Sequence, residues 1–476
     1  MKPVVNGAAV SRKLICERMN TLIVLSVLGL VTLFSEIFSF KRAIRSLVII
    51  GLLAAAALSI ADFGKNDSLF GGMILVDGYA AAFSALMILS TVVWLLLSGG
   101  FFRDDSNKAD LLALSVFALT GAVCMVMFSN MIMLFLGIEI LSISLYVLAG
   151  SRKSDSASNE SALKYFLLGS FATGFLLFGM ALVYGSTGSF DTGAIASAVS
   201  EGRIQNTTML TAGIMLLLVA MAFKVSAAPF HFWAPDVYQG APTQVTAFMA
   251  SVVKTAAFAA FFRLFFLCFS GSEGIWADTL WVVAALTILL GNLAAAAQKN
   301  IKRMLAYSSV AHAGYMLLSL LALNHGAAPS LFFYTATYSL SSLLAFFILL
   351  IISNKTGQET IDGFRGLAHR NPLLAGLTIV AMLSLAGIPP TAGFFAKYYL
   401  FTAALDAGYT GLVIIAVLGS LVGVYYYFRP LMAVFGAEPE AQTFEYSALS
   451  RWTLVFLAVL SLALGVFPGL LSRIAL

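Results

Sequence analysis

Charge is what this sequence holds least of. Of its 476 residues only 10% are Asp, Glu, Lys or Arg, where a soluble domain carries about 25%. The chain cannot cover a globule with a water-facing surface. Cysteine is nearly absent too. Cys16, Cys124 and Cys268 are scattered with no CxxC pair and no ligand-like spacing, which excludes a disulfide framework and a thiolate-held metal or cluster. No nucleotide-binding or flavin fingerprint occurs, so redox chemistry is not expected within the chain. The basic start, residues 1–20, leads directly into an apolar run of full span length. It reads as the approach to a retained first helix rather than as a cleaved signal.

What is there is hydrocarbon. Hydrophobic residues make up 60% of the chain, and the mean hydropathy is +0.95. At ~20 apolar residues per crossing, fourteen spans are predicted. They lie near 21–40, 44–62, 76–98, 109–128, 131–149, 161–184, 209–232, 244–268, 277–297, 303–323, 330–353, 373–402, 410–433 and 452–472. The expected fold is all-α, a polytopic membrane protein of about 14 transmembrane helices in a single transmembrane domain over 1–476. The longest loops, near 185–208, 354–372 and 434–451, are short and polar, so no soluble domain is expected.

Lysines and arginines set the orientation. Loops after odd-numbered spans carry fourteen of them, from Lys41 and Arg42 through Lys299, Lys302 and Arg303 to Arg451. The opposite face carries seven, four of which (Lys2, Arg12, Lys13 and Arg18) lie in the N-terminal tail. Both termini are therefore expected on the outer side. The net charge of +5 reports orientation rather than nucleic-acid binding.

The stretch Met209–Phe266 carries the strongest functional signal. Its first span holds one ionisable group at depth, Lys224, and Pro229 interrupts the helix five residues later, with His231 close behind. The connection WAPDVYQGAPT, with Pro235, Gly240 and Pro242, is expected to be irregular. The second span again holds a single deep lysine, Lys254. A charged side chain in hydrocarbon costs several kcal/mol, so such residues are functional candidates. Broken helices beside ionisable groups are how transporters build ion sites near mid-membrane. The alternative is that these lysines snorkel or make structural pairs.

Glu139 falls at the middle of the fifth span, ~13 Å from either end. Alone it would take up a proton, whereas a neighbouring ammonium would keep it ionised. Lys164, early in the sixth span, is the first partner to consider and Lys224 the second. His312, in the tenth span with Ser308, Ser309 and Tyr315 nearby, is a candidate relay, since histidine exchanges protons nearest physiological pH. Arg263 and Arg429 lie toward span ends and are expected to pair locally. His325 and His369 read as solvated, and Glu36 has no assigned role.

The twelfth span repeats the opening device. Gly387, Pro389, Pro390 and Gly393 break it, and Lys397 follows within two turns. Broken spans five apart point to two inverted five-helix repeats, with broken seventh and twelfth helices. Their expected bounds are about 109–268 and 277–433, leaving spans one to three at 21–98 and the last span at 452–472.

Five segments carry a resemblance: FLGIEILSISLYVLAG (135–150), ESALKYFLLGSFATGFLLFGMALVYGSTGSF (160–190), FKVSAAPFHFWAPDVYQGAPTQVTAF (223–248), NIKRMLAYSSVAHAGYMLL (300–318) and LAGIPPTAGFFAKYYLF (385–401). They resemble the antiporter-like membrane subunits of respiratory complex I, NADH-quinone oxidoreductase, and among these the N-subunit branch. The resemblance implies two inverted half-channels meeting along a polar axis. On that axis Glu139, Lys164, Lys224, Lys254, His312 and Lys397 would transfer protons, with helix breaks at Pro229, Pro389 and Pro390. It further implies a non-redox, proton-translocating subunit of a translocase in the bacterial cytoplasmic (inner) membrane. NADH, FMN, iron–sulfur clusters and quinone would be held by partner subunits of the complex. No cofactor and no metal is expected in this chain. A subunit of a monovalent cation/proton antiporter is the alternative, since it shares the broken-helix architecture.

Overall fold

The structure, a computed structural model, describes residues 20–37, 43–102, 107–323, 326–437 and 446–472. Cys16, His325, Lys41, Arg42, Arg103, Arg473 and the basic residues of the N-terminal tail lie outside them. A backbone surrounded by hydrocarbon must satisfy its own hydrogen bonds, which a helix does within one segment. The successive spans are α1 (Asn20–Phe34), α2 (Ile44–Ala61), α3 (Gly78–Leu97), α4 (Lys108–Met127), α5 (Met131–Ala149) and α6 (Ser156–Thr187). The seventh is split into α7a (Thr207–Lys224) and α7b (Trp233–Gly240). The eighth, α8, joins Thr243–Phe248, a π-helical turn Met249–Val253 and Lys254–Phe269. Then come α9 (Glu273–Ala297), α10 (Ile301–Leu321), α11 (Ala327–Thr356), the halves α12a (Pro372–Ala386) and α12b (Ala392–Asp406), α13 (Thr410–Val434) and α14 (Ala448–Val466).

Eleven helical runs are long and apolar enough to cross a membrane. One of them, Thr243–Ala297, is 55 residues long and is divided at the 3-10 turn Ser270–Ser272, where Phe269 leaves helical geometry with φ −130°. With the shorter apolar helices α1 and α12a, the described chain reproduces the predicted order of fourteen segments. Their ends are set by the few polar residues. Asp77, Asn130, Asp155, Asn206, Asn300 and Asn371 each accept a first-turn backbone N–H, at the heads of α3, α5, α6, α7a, α10 and α12a. A short side-chain acceptor at that position satisfies a donor the helix cannot. A small hairpin, Asp67–Leu69 against Ile74–Val76, is the one β element the all-helical expectation omits among the described residues.

One arrangement occurs twice. Asn130, heading α5, bridges Asp191 beyond α6, and Asn300, heading α10, bridges Thr360 beyond α11. α4 meets α5 at Gly121 and Gly137, and α9 meets α10 at Gly291 and Gly314. At each, an added Cβ would lie within 2.8 Å of the partner's backbone. The repeat is five spans, and in an up-and-down bundle an odd shift reverses direction, so the halves are inverted.

Both breaks fall at the prolines. The connection after the first differs from expectation, because Trp233–Gly240 is regular helix. Pro235 is its third residue, where no intrahelical donor is needed, and Pro242 serves as the cap before Thr243. Burial then identifies the middle of the bundle. In the apolar windows of α10 and α11, 94% and 89% of residues are buried, against 33% in α2 and α6. The first two are central and the last two line the outside.

Candidate functional site

Lys224 closes α7a just before the break. Its Nζ donates to Ser142 Oγ at 2.5 Å, three residues along α5 from Glu139. Glu139 is half-buried and accepts from Thr173 Oγ1 of α6 at 2.7 Å. Lys224 lies within the electrostatic reach of Glu139, yet among the described residues no ion pair joins Glu139 to a lysine. A cavity lined by Ser142, Tyr146, Tyr165, Thr173 and Lys224 places the lysine and Thr173, the partner of Glu139, on one space.

Lys164 is placed elsewhere, which corrects its expected pairing with Glu139. It forms ion pairs with Glu160 at 2.7 Å and with Asp236 of α7b at 2.8 Å, and its side chain is 41% exposed. Thr173, the residue that reaches Glu139 from α6, stands ~13 Å farther along the helix at 1.5 Å per residue. Asp236 also pairs with Arg303 of α10 at 2.9 Å, and Arg303 reaches Gln239 Oε1 at 2.9 Å. The sequence reading missed Asp236, although it is the lone carboxylate of the segment between the two breaking prolines Pro229 and Pro242. Lys302, assigned from sequence to a loop, is buried at the start of α10, donating to the Ala241 carbonyl at 2.7 Å with Glu359 3.7 Å away.

Lys254 follows the π-helical turn of α8 directly. Such a turn widens the helix and recurs at functional sites. The side chain is 4% exposed and its Nζ donates to both the carbonyl and the hydroxyl of Ser309, at 2.6 and 2.5 Å. The Tyr338 ring lies 5.9 Å away, and the hydroxyls of Tyr238 and Tyr338 also meet Ser309. One turn on from Ser309, buried His312 sits between two tyrosines. Its Nδ1 is 2.7 Å from the Tyr334 hydroxyl and its Nε2 3.2 Å from that of Tyr427.

Lys397 is buried on α12b and donates to the Ala386 carbonyl at 2.7 Å, across the break. Its Nζ also stands 5.1 Å from the centre of the Tyr315 ring. Two glycines make room. Gly387 has φ +81°, and Gly393 lies so close to α12a that a Cβ would collide with the Ser384 carbonyl oxygen. A second cavity, lined by His312, Tyr334, Thr337, Ser341, Ser384 and Lys397, separates the lysine from the histidine.

The remaining deep charges are fixed. Arg263 is 3% exposed, pairs with Asp77 at 3.0 Å and donates to the Phe128 carbonyl at 3.1 Å. Arg429 donates to the carbonyls of Ala296 and Gln298 at 2.9 and 2.8 Å. His231 is buried beside the first break, and its Nδ1 has no hydrogen-bond partner among the described residues. His369 is exposed, as expected. The structure thus buries Lys254, His312 and Lys397 and half-buries Lys224, with hydroxyls and carbonyls as their partners. Among the described residues, none of these three lysines has a carboxylate in contact. An ammonium so placed has acceptors for its protons but no fixed counter-charge, so gaining or losing a proton need not break an ion pair.

Residues 129–423 match the family described as NADH:quinone oxidoreductase/Mrp antiporter, TM. The chain is 45% identical over 462 residues to NADH-quinone oxidoreductase subunit N of Cytophaga hutchinsonii, covering 96% of this chain and 100% of the relative. Among solved structures it is similar to a chain of respiratory complex I from Thermus thermophilus with bound aureothin. There the TM-score is 0.83 at 37% identity, covering 95% of this chain and 98% of that one. A chain of the Mrp complex from Dietzia sp. DQ12-45-1b shares the fold, with TM-score 0.83 at 21% identity and coverage of 96% and 95%.

Proposed function

The chain belongs to the subunit N family of NADH-quinone oxidoreductases, and we propose that it carries protons across the bacterial cytoplasmic membrane as a subunit of such a complex. NADH oxidation, with FMN and iron–sulfur clusters, and quinone reduction would occur in partner subunits. The observation that carries this reading is the interior row Lys224, Lys254, His312 and Lys397, bonded to hydroxyls and carbonyls instead of carboxylates. Glu139, half-buried and within reach of Lys224, is the group through which a charge change at a neighbour acts. Moving charge beside a buried ammonium alters its proton affinity, and one pKa unit corresponds to about 1.4 kcal/mol.

In this reading Lys224 and Lys254 take up and store protons, and Lys397 governs release on the far side. Lys164 acts at the entrance with Asp236 rather than on the axis itself. The repeats span about 109–268 and 277–433. The basic loops face the cytoplasm and both termini the outer side. The second reading, a monovalent cation/proton antiporter subunit, draws on the fold shared with the Mrp complex. The two separate by energy source. Purified complex in sealed vesicles should acidify them on addition of NADH and quinone, and should lose that acidification in Lys224→Ala with assembly intact. Proton exchange driven by a sodium gradient alone, with no response to NADH, would favour the antiporter.

A further inference from the structure

Thr337 lies on α11, 3% exposed, and among the described residues its Oγ1 finds no hydrogen-bond partner. Helical threonines in this bundle ordinarily donate to the carbonyl four residues back. Thr335 does so to Leu331 at 2.9 Å, as do Thr91, Thr120 and Thr378 on α3, α4 and α12a. Thr337 forgoes that bond and lines the cavity between His312 and Lys397. Lys397 has donors to spare in the same cavity. An ammonium has three, and among the described residues its Nζ gives one hydrogen bond, to Ala386. A buried water needs two to four polar partners, and Thr337, Lys397 and Tyr334, all lining the cavity, supply three.

We infer that the Thr337 hydroxyl anchors a buried water in this cavity, and that the water passes protons between Lys397 and His312 through Tyr334. The second half of the inference rests on the proton-transfer reading above. His312 sets the direction of the bonds. Tyr427 donates its proton to Ser308 Oγ at 2.7 Å, so its oxygen accepts from Nε2–H, and Nδ1 accepts from Tyr334. A proton leaving the Lys397 ammonium binds the water oxygen. The water releases another to the Tyr334 oxygen, and Tyr334 releases its own to Nδ1. Each oxygen gains one proton and loses one. The net change is a neutral lysine and an imidazolium, and return follows the same path. Thr337 is a positioning residue, since it holds the water without itself changing charge.

The test is a map of the assembled complex fine enough to show waters, paired with pumping in vesicles. A water within hydrogen-bond distance of Thr337 Oγ1 and Lys397 Nζ is expected. Thr337→Val, which keeps the shape and removes the hydroxyl, should lose that density and lower NADH-driven pumping ~10-fold or more, the scale of a lost proton-transfer group. Thr337→Ser should restore both. Ordered side chains with no water between them would overturn the site. Unchanged pumping in Thr337→Val, or equal impairment in the valine and serine variants, would overturn the relay. Should Thr337→Val fail to assemble, the parent map and the serine variant decide alone. A parent complex that moves no protons defeats the functional reading, while its map still tests the water.

Discussion

Lys397 folds back across Gly387. Its Nζ bonds the carbonyl of Ala386, and a Cβ on residue 387 would lie 2.7 Å from Lys397 Cδ. The φ of +81° at Gly387 adds a second reason for glycine, since a side chain in that region costs about 1–3 kcal/mol. Gly387→Ala should therefore lower the melting temperature of the complex and displace Lys397. The measurable result is reduced proton pumping per assembled complex, with NADH oxidation by the peripheral subunits retained. Full pumping in Gly387→Ala would show that the position of Lys397 is not critical.

Lys224 and Lys164 should behave differently, although both are lysines within predicted spans. Lys224→Ala removes an interior ammonium, and pumping is expected to fall ~10-fold or more, as when a proton-transfer group is lost. Lys164→Ala removes half-exposed ion pairs of the kind worth under about 1 kcal/mol, and a milder loss is expected. Vesicle acidification rates, normalised to assembled complex, rank the two. The reverse ranking would place Lys164 on the axis.

At Glu139 the sign of charge should matter more than the length of the side chain. Glu139→Gln keeps an acceptor for Thr173 but removes the carboxylate that Lys224 feels. Glu139→Asp keeps the charge and withdraws it by one methylene. Coupled quinone reduction should drop further in the glutamine variant. Equal loss in both would point to geometry instead of charge.

Asp77 and Arg263 offer a control away from the axis. Removing one member of a fully buried pair leaves an uncompensated charge and costs about 3–5 kcal/mol, whereas replacing both by apolar groups can be neutral. With Asp77 26% exposed, the cost here should be smaller. Asp77→Asn should lower thermal stability, and Asp77→Leu combined with Arg263→Met should recover only part of it, because the leucine also removes the cap that Asp77 gives α3, worth about 1 kcal/mol. Both variants should pump normally per assembled complex. Stability is read by thermal unfolding and pumping by vesicle acidification.

The sequence by itself determined the crossings, the breaks and the inventory of deep groups. A hydrocarbon layer demands about 20 apolar residues per helix, so run length fixed the number of spans, and Pro229, Pro389 and Pro390 interrupted helices wherever the packing put them. Glu139, Lys224, Lys254, His312 and Lys397 stood out because an apolar background makes any ionisable residue conspicuous. Partners were another matter. That Lys164 goes to Asp236, that Lys254 goes to Ser309, that Lys302 is buried and that Arg263 meets Asp77, 186 residues away, were all decided by tertiary structure. Helices that are hydrophobic all round carry no amphipathic stripe to say which face turns inward. Their rotation is set by close contacts such as Gly121 with Gly137 and Gly393 with Ser384, and only those contacts choose which polar side chains meet.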